Sequence, residues 1–208
     1  MSNSSDVPRI AFQGERGAFS EEAAIKLLGE RIQMVPRPTF EALFASLDDG
    51  IADFVLAPIE NSLAGTVHQV QELLREHSLS VCDEVVLPIM QNLIGCPGAS
   101  FEGIAAVESH PVALAQCERF FTEHPWIKRI VSQDTAGSVA RVVQRGDPSQ
   151  AAIAGLRAAE IYGGLILREH LEDSRENYTR FVLVAARPRR IPTSVGRKTV
   201  SDGKRVVS

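Results

Sequence analysis

The sequence predicts an α/β protein built as two similar halves that face each other across a cleft. Three observations predict it. Short apolar runs of strand length alternate with segments of helical period, the order of these elements repeats along the chain, and polar residues gather where strands give way to helices.

The candidate strands are Ile10–Phe12, Ile32–Pro36, Phe54–Ile59, Ser80–Leu87, Ile89–Ile94, Ile104–Val107, Arg129–Val131, Ala151–Ala154 and Arg180–Ala186. Between them lie four apolar stripes. Phe40, Leu43, Phe44 and Leu47 recur at i, i+3, i+4 and i+7, and Val67, Val70, Leu73 and Leu74 follow nearly the same spacing. Ala113, Leu114, Cys117, Phe120 and Phe121 predict one further helix, and Ala136, Val139, Ala140 and Val143 another. Strand–helix–strand–helix–strand–helix describes both residues 9–75 and residues 104–163. The long stretch Ser80–Ile94, broken by Pro88, is expected to cross from the first lobe to the second, and the strand near Thr179 to cross back. Lobe 1 is thus expected over about 9–80 plus 178–186, and lobe 2 over about 89–170. Residues 1–8 and the tail 187–208 carry no apolar period and are expected to be disordered or extended.

Composition excludes several classes of function. The 208 residues carry a formal net charge of -4, so no broad electrostatic attraction for nucleic acid or anionic lipid is expected. The polar, Ser-rich N-terminus lacks an export signal, and no apolar run approaches a membrane span, which points to a soluble cytoplasmic protein. Cys82, Cys96 and Cys117 form no CxxC pair and no zinc-ligand spacing, so they read as buried thiols in a reducing compartment, with no metal. The GERG turn lacks the third glycine of a dinucleotide fingerprint, and no P-loop, GxSxG or HExxH occurs, so no cofactor is expected. His68, His77, His124 and His170 have no partner spacing and read as structural or solvent-facing.

The strand-to-helix junctions are more informative. GERGAFSEE places Ser20 to cap a helix beginning at Glu21, PIENSLAGT crowds Asn61, Ser62 and Thr66 into one loop, ESHP puts Ser109 at an N-cap before Pro111, and DTAGS does the same with Asp134 and Thr135. Helix N-termini turned into one cleft offer free N–H groups and partial positive charge, a receptor for an anion that needs no lysine.

Taken together, IAFQGERGAFSEEAA, ADFVLAPIENSLAGTVHQVQELL, ESHPVALAQC, DTAGSVARVV, AAIAGLRAAEIYG and NYTRF resemble the prephenate dehydratase family, in its order and at its spacing, over residues 9–186. Glu15 stands where proline is common and Gly164 where a larger apolar residue is common. The resemblance implies a two-lobed, periplasmic-binding-protein-like (type II) fold with the active site in the inter-lobe cleft, and a homodimer as the default assembly. It implies that Thr179 and His110 are catalytic and that Asn61, Ser62, Ser109, Gln116 and Phe181 bind substrate. The family usually continues into a phenylalanine-binding ACT domain. Residues 187–208 are too few for one, so the chain is expected either to lack that regulation or to be a fragment.

The implied reaction converts prephenate to phenylpyruvate, carbon dioxide and water, and aromatisation drives it. Neutral donors suit it, because a strong cation on the ring carboxylate would stabilise the ground state in preference to a transition state whose charge is dispersing. Thr179 is the first candidate to donate to the departing hydroxyl and His110 the second. Strand alternation sends Arg180 to the opposite face. Arogenate dehydratase, with an amino group on the substrate, fits the same motifs, and a non-catalytic two-lobed binder of small anions fits the architecture alone.

Overall fold

The computed structural model describes residues 7–77 and 79–186. Most of the N-terminal segment and all of the tail expected to be unstructured lie outside that range. Pro8 is already ordered, its carbonyl accepting from the Gln33 N–H at 2.9 Å.

Two sheets organise the chain. The first comprises β1 (Arg9–Gln13), β2 (Gln33–Arg37), β3 (Phe54–Asn61), β4 (Gly65–Thr66), β5 (Ser80–Pro88) and β11 (Tyr178–Ala185), in the order β2-β1-β3-β11-β5, with β4 paired to β3. The second comprises β6 (Asn92–Gly95), β7 (Ala106–Ser109), β8 (Lys128–Val131), β9 (Gln150–Ala154) and β10 (Leu165–Arg168), in the order β10-β6-β9-β7-β8. The orders match. Each sheet has a parallel trio with its first strand central, an antiparallel strand beside the third (β11 or β6), and a second antiparallel strand outside that. The repeat seen in the sequence is therefore a repeat of topology. The chain passes between the sheets twice, from β5 to β6 and from β10 to β11.

Helices cover both faces of the first sheet, which explains its near-continuous apolar strands. Ile10, Phe54, Leu56, Phe181 and Leu183 pack with Ala24 and Leu27 of α1 (Phe19–Leu28), while Ala11, Val55, Val182 and Val184 pack with Leu43 and Phe44 of α2 (Phe40–Asp48) and Val70 of α3 (His68–Glu76). In the second half, α4 (Pro111–Ala115) and α5 (Glu118–Glu123) share a core with Leu93, Val107 and Ile153, and α6 (Thr135–Arg145) and α7 (Leu156–Tyr162) share another with Ile94, Ala152 and Ala154.

Four local expectations are corrected. The single helix expected over residues 113–121 is two, because the Asp173 carboxylate takes the N–H groups of Glu118 and Arg119 at 2.8 and 3.0 Å and starts α5 afresh. Ser20 does not cap α1, which begins at Phe19 after an Ala18 with no side-chain cap. Ser109 does not cap α4; His110 does, its Nδ1 accepting from the Val112 N–H at 3.3 Å. β4 and β10 are additional strands, β10 being a mostly exposed edge strand without a buried alternation.

The halves meet where α1 approaches α7. Gly17, at φ +86°, leaves room that a β-carbon would fill at 2.7 Å from Ala158 Cα, and the Phe19 ring lies over Gly155 in the same way. Between them the fully buried Glu21 carboxylate of α1 accepts from Arg157 of α7 at 3.0 Å, from Arg16 at 3.0 Å and from the Gly17 N–H at 2.8 Å.

Candidate active site

A cavity of about 360 Å³ opens between the halves. Thr179, Phe181, Pro58, Asn61 and Thr66 line it from the first sheet, His110, Val112, Ala113, Gln116 and Thr135 from the second half, and Ile89 and Gln91 from the first crossing segment. Among the described residues that line it there is no lysine, arginine, aspartate or glutamate. Polarity instead comes from hydroxyls, carboxamides and helix starts. Phe19 and Thr135 are the first residues of α1 and α6, and Val67 and His110 are the N-caps of α3 and α4, so four helix N-termini border the cavity.

Sheet register sets the central pair. Thr179 of β11 lies opposite Asn61 of β3, and Phe181, two residues on, shares the face of Thr179. Arg180 points away and pairs with Glu60 at 3.1 Å and Glu84 at 3.6 Å on the outer surface. Asn61 is held by the loop that follows it, its Oδ1 accepting from the N–H groups of Leu63 and Ala64 at 3.0 and 2.8 Å. That orientation turns its Nδ2 toward Thr179 Oγ1 at 2.9 Å, Asn177 Oδ1 at 2.9 Å and the Tyr178 carbonyl at 3.1 Å. The threonine oxygen is thus an acceptor for Asn61, and its own hydrogen remains available to the cavity.

Gln116, at the end of α4, joins the halves. Its Nε2 donates to Asn61 Oδ1 at 3.4 Å, and its Oε1 accepts from Asn177 Nδ2 at 3.0 Å and Gln91 Nε2 at 3.1 Å. Capping fixes the state of His110. Because Nδ1 accepts the Val112 N–H, the hydrogen of the neutral ring sits on Nε2. Burial lowers the His110 pKa from the usual imidazole range against a smaller opposing pull from Asp134, so the ring is neutral at pH 7.

Of the seven residues expected in the site, Asn61, His110, Gln116, Thr179 and Phe181 line this cavity, and Ser62 and Ser109 do not. Ser62 Oγ donates to the Glu176 carbonyl at 2.6 Å and accepts from the Tyr178 N–H at 2.9 Å, which staples the end of β3 to the entry of β11. Ser109 is fully buried and donates to the Ile153 carbonyl at 2.6 Å, tying β7 to β9. Gln91 and Asn177 were not expected. Both are buried carboxamides on the crossing segments, and the polar pair Gln91–Asn92 inside an otherwise apolar run was the available signal.

Comparison with known proteins gives the family. The family model described as prephenate dehydratase matches residues 10–189. The chain belongs to the prephenate dehydratase family. The chloroplastic arogenate dehydratase/prephenate dehydratase 1 of Arabidopsis thaliana is 42% identical over 180 residues, covering 86% of this chain and 45% of that protein. The prephenate dehydratase of Arthrobacter aurescens, solved in complex with L-Phe, superposes with a TM-score of 0.79 at 28% identity, covering 90% of this chain and 63% of that one. GqqA, described as a novel type of quorum quenching acylases, superposes with the same TM-score at 35% identity, covering 89% of this chain and 66% of that one. The chain spans less than half the length of the Arabidopsis relative.

Proposed function

We propose that this chain carries the active site of a prephenate dehydratase, a carbon–oxygen lyase of phenylalanine biosynthesis. The observation that carries the reading is the pairing of Thr179 with Asn61 inside an uncharged cavity between the two halves, in a chain of this family.

The chemistry follows from these groups. As the bond from the ring to its carboxylate breaks, its electron pair enters the ring and carbon dioxide leaves. The ring expels its hydroxyl with the C–O electron pair, and the expelled oxygen needs one proton to leave as water. A threonine hydroxyl is too weak an acid to give that proton early, but it is matched to an oxygen that has become nearly hydroxide. Thr179 therefore hydrogen-bonds to the leaving oxygen throughout, transfers its proton once cleavage is nearly complete, and regains one from solvent. His110 is the second candidate. Its neutral ring offers the Nε2–H as a hydrogen-bond donor, while its lowered pKa makes it a sparse source of imidazolium at pH 7. Asn61 and Gln116 orient these donors, Phe181 packs against the ring, and the helix N-termini receive the pyruvyl carboxylate. Ser62 and Ser109 contribute by fixing the strands that carry Asn61 and His110. No group in this scheme calls for a cofactor.

The purified chain should convert prephenate to phenylpyruvate. Formation of phenylalanine from arogenate with no turnover of prephenate would assign it to arogenate dehydration instead. Saturable binding of prephenate with no product would make it a binding protein, and cleavage of an acylated quorum signal in place of dehydration would group it with GqqA in activity. The buried thiols Cys96 and Cys117 suit a reducing compartment, and we extend the reading to a cytoplasmic homodimer, checked by fractionation and by light scattering on the eluting species.

A further inference from the structure

We propose that Gln91 accepts a hydrogen bond from the ring hydroxyl of the substrate and so closes a ring of hydrogen bonds running through Gln116, Asn61 and Thr179. This rests on the reading of the cavity as a dehydratase site.

The four side chains already form a directed chain. Gln91 Nε2 donates to Gln116 Oε1 at 3.1 Å, Gln116 Nε2 to Asn61 Oδ1 at 3.4 Å, and Asn61 Nδ2 to Thr179 Oγ1 at 2.9 Å. The direction is forced by the backbone. Two N–H groups hold Asn61 Oδ1, so Gln116 must present its nitrogen to that oxygen and its own oxygen to Gln91, which must answer with nitrogen. The side-chain oxygen of Gln91, Oε1, is left over. Among the described residues, Gln91 Oε1 is the buried side-chain polar atom with no hydrogen-bond partner, and Gln91 is 2% exposed while lining the cavity.

An orphaned buried acceptor is costly and has to be repaid by something that enters the site. The main chain of Gln91 is fixed, its backbone N–H donating to Glu172 Oε2 at 2.7 Å and its backbone carbonyl accepting from the Leu171 N–H at 2.7 Å, and the Nε2 bond to Gln116 holds the side-chain carboxamide where it is. The two loose ends of the chain are then an acceptor at Gln91 and a donor hydrogen at Thr179. A hydroxyl, with one donor and lone pairs to accept, joins them. Prephenate's carboxylates and keto oxygen only accept, so its ring hydroxyl is the one group able to satisfy Gln91. In the closed ring every bond points the same way and each polarises the next, which strengthens the Thr179 donor as charge grows on the leaving oxygen. Gln91 also turns the hydroxyl so that a lone pair faces Thr179.

The test uses Gln91→Met, which keeps length and apolar volume while removing the acceptor together with the Nε2 donor to Gln116, whose Oε1 keeps its bond from Asn177, on whichever of prephenate and arogenate the wild type turns over. A ring-saturated, unreactive analogue of that substrate, with and without the ring hydroxyl, measures recognition apart from chemistry. For the variant, shown to be folded by circular dichroism, kcat should fall about tenfold or more with a smaller change in KM. Wild type should bind the hydroxylated analogue about tenfold or more tightly than the deoxy one, and the variant should bind the two within about twofold. A wild type indifferent to the hydroxyl, or a folded variant that keeps the preference, overturns the proposal and leaves the dehydratase reading standing. A wild type that turns over neither substrate overturns that reading instead.

Discussion

Asn61 donates its carboxamide hydrogen to Thr179 Oγ1 at 2.9 Å, which occupies the threonine oxygen as an acceptor and leaves its hydrogen for the donor role proposed above. Thr179→Val keeps the β-branched shape and removes the donor, and kcat should fall by roughly 10²–10⁴ with little change in KM. Thr179→Ser should keep a substantial part of the rate. Asn61→Asp is the sharper test, because a carboxylate at this position accepts and would draw the threonine hydrogen away from substrate. It too should cost about 10²-fold or more in kcat. Steady-state kinetics on folded variants decides this, and a Thr179→Val enzyme retaining above about a tenth of wild-type kcat would pass the role to His110.

The Glu21 carboxylate should show its role as a fastener between the halves in stability. Burial alone would raise its pKa, but hydrogen bonds from Arg16, the Gly17 N–H and Arg157 outweigh burial and leave it below the usual range. A carboxylate with a lowered folded pKa contributes stability above its unfolded pKa and loses it as pH falls through the folded value. Glu21→Gln should destabilise by roughly 1–3 kcal/mol at pH 7 in urea unfolding, and the deficit should shrink as the pH is taken below about 4.

His110 carries the opposite charge logic. Burial, only partly opposed by Asp134, lowers its folded pKa, so the unfolded chain binds the extra proton first as pH drops below about 6.5. Wild type should therefore lose stability relative to His110→Asn, a variant that retains a capping acceptor, between pH 7 and 5. Paired urea titrations at the two pH values measure this difference directly.

The Cys117 thiol is fully buried, and burial, reinforced by Asp173 and Glu172, pushes its pKa far up. It should resist alkylation at pH 8 in the native protein and react on unfolding, whereas half-buried Cys82 should label first. Mass spectrometry of timed iodoacetamide reactions reads this out.

Much of this was legible in the sequence because it rests on local regularity. Short apolar runs gave β1, β3 and β11, and the resemblance carried by PIENS, ESHPVALAQC and NYTRF implied that Asn61, Gln116 and Thr179 share one place. What was missed depends on contacts distant in the chain. Asp173, more than fifty residues away, divides α4 from α5, and local capping preference cannot foresee it. Ser62 and Ser109 carry the right chemistry but spend their hydroxyls on backbone carbonyls of neighbouring segments. Asn177 is recognisable only once the two crossing segments lie side by side, and for Gln91 the sequence offers no more than the polar Gln91–Asn92 pair in an apolar run.

The matched orders of the two sheets also govern the sequence of assembly. The second sheet draws all its strands from the continuous stretch Asn92–Arg168, while the first cannot join β5 to β3 until β11 slots between them. On a chain growing from its N-terminus, the half made first is the half completed last, with β5 left as a partnerless strand in the interval. Pulse-labelled hydrogen exchange during refolding should accordingly find the amides that pair β7 with β9 protected before those that pair β11 with β5.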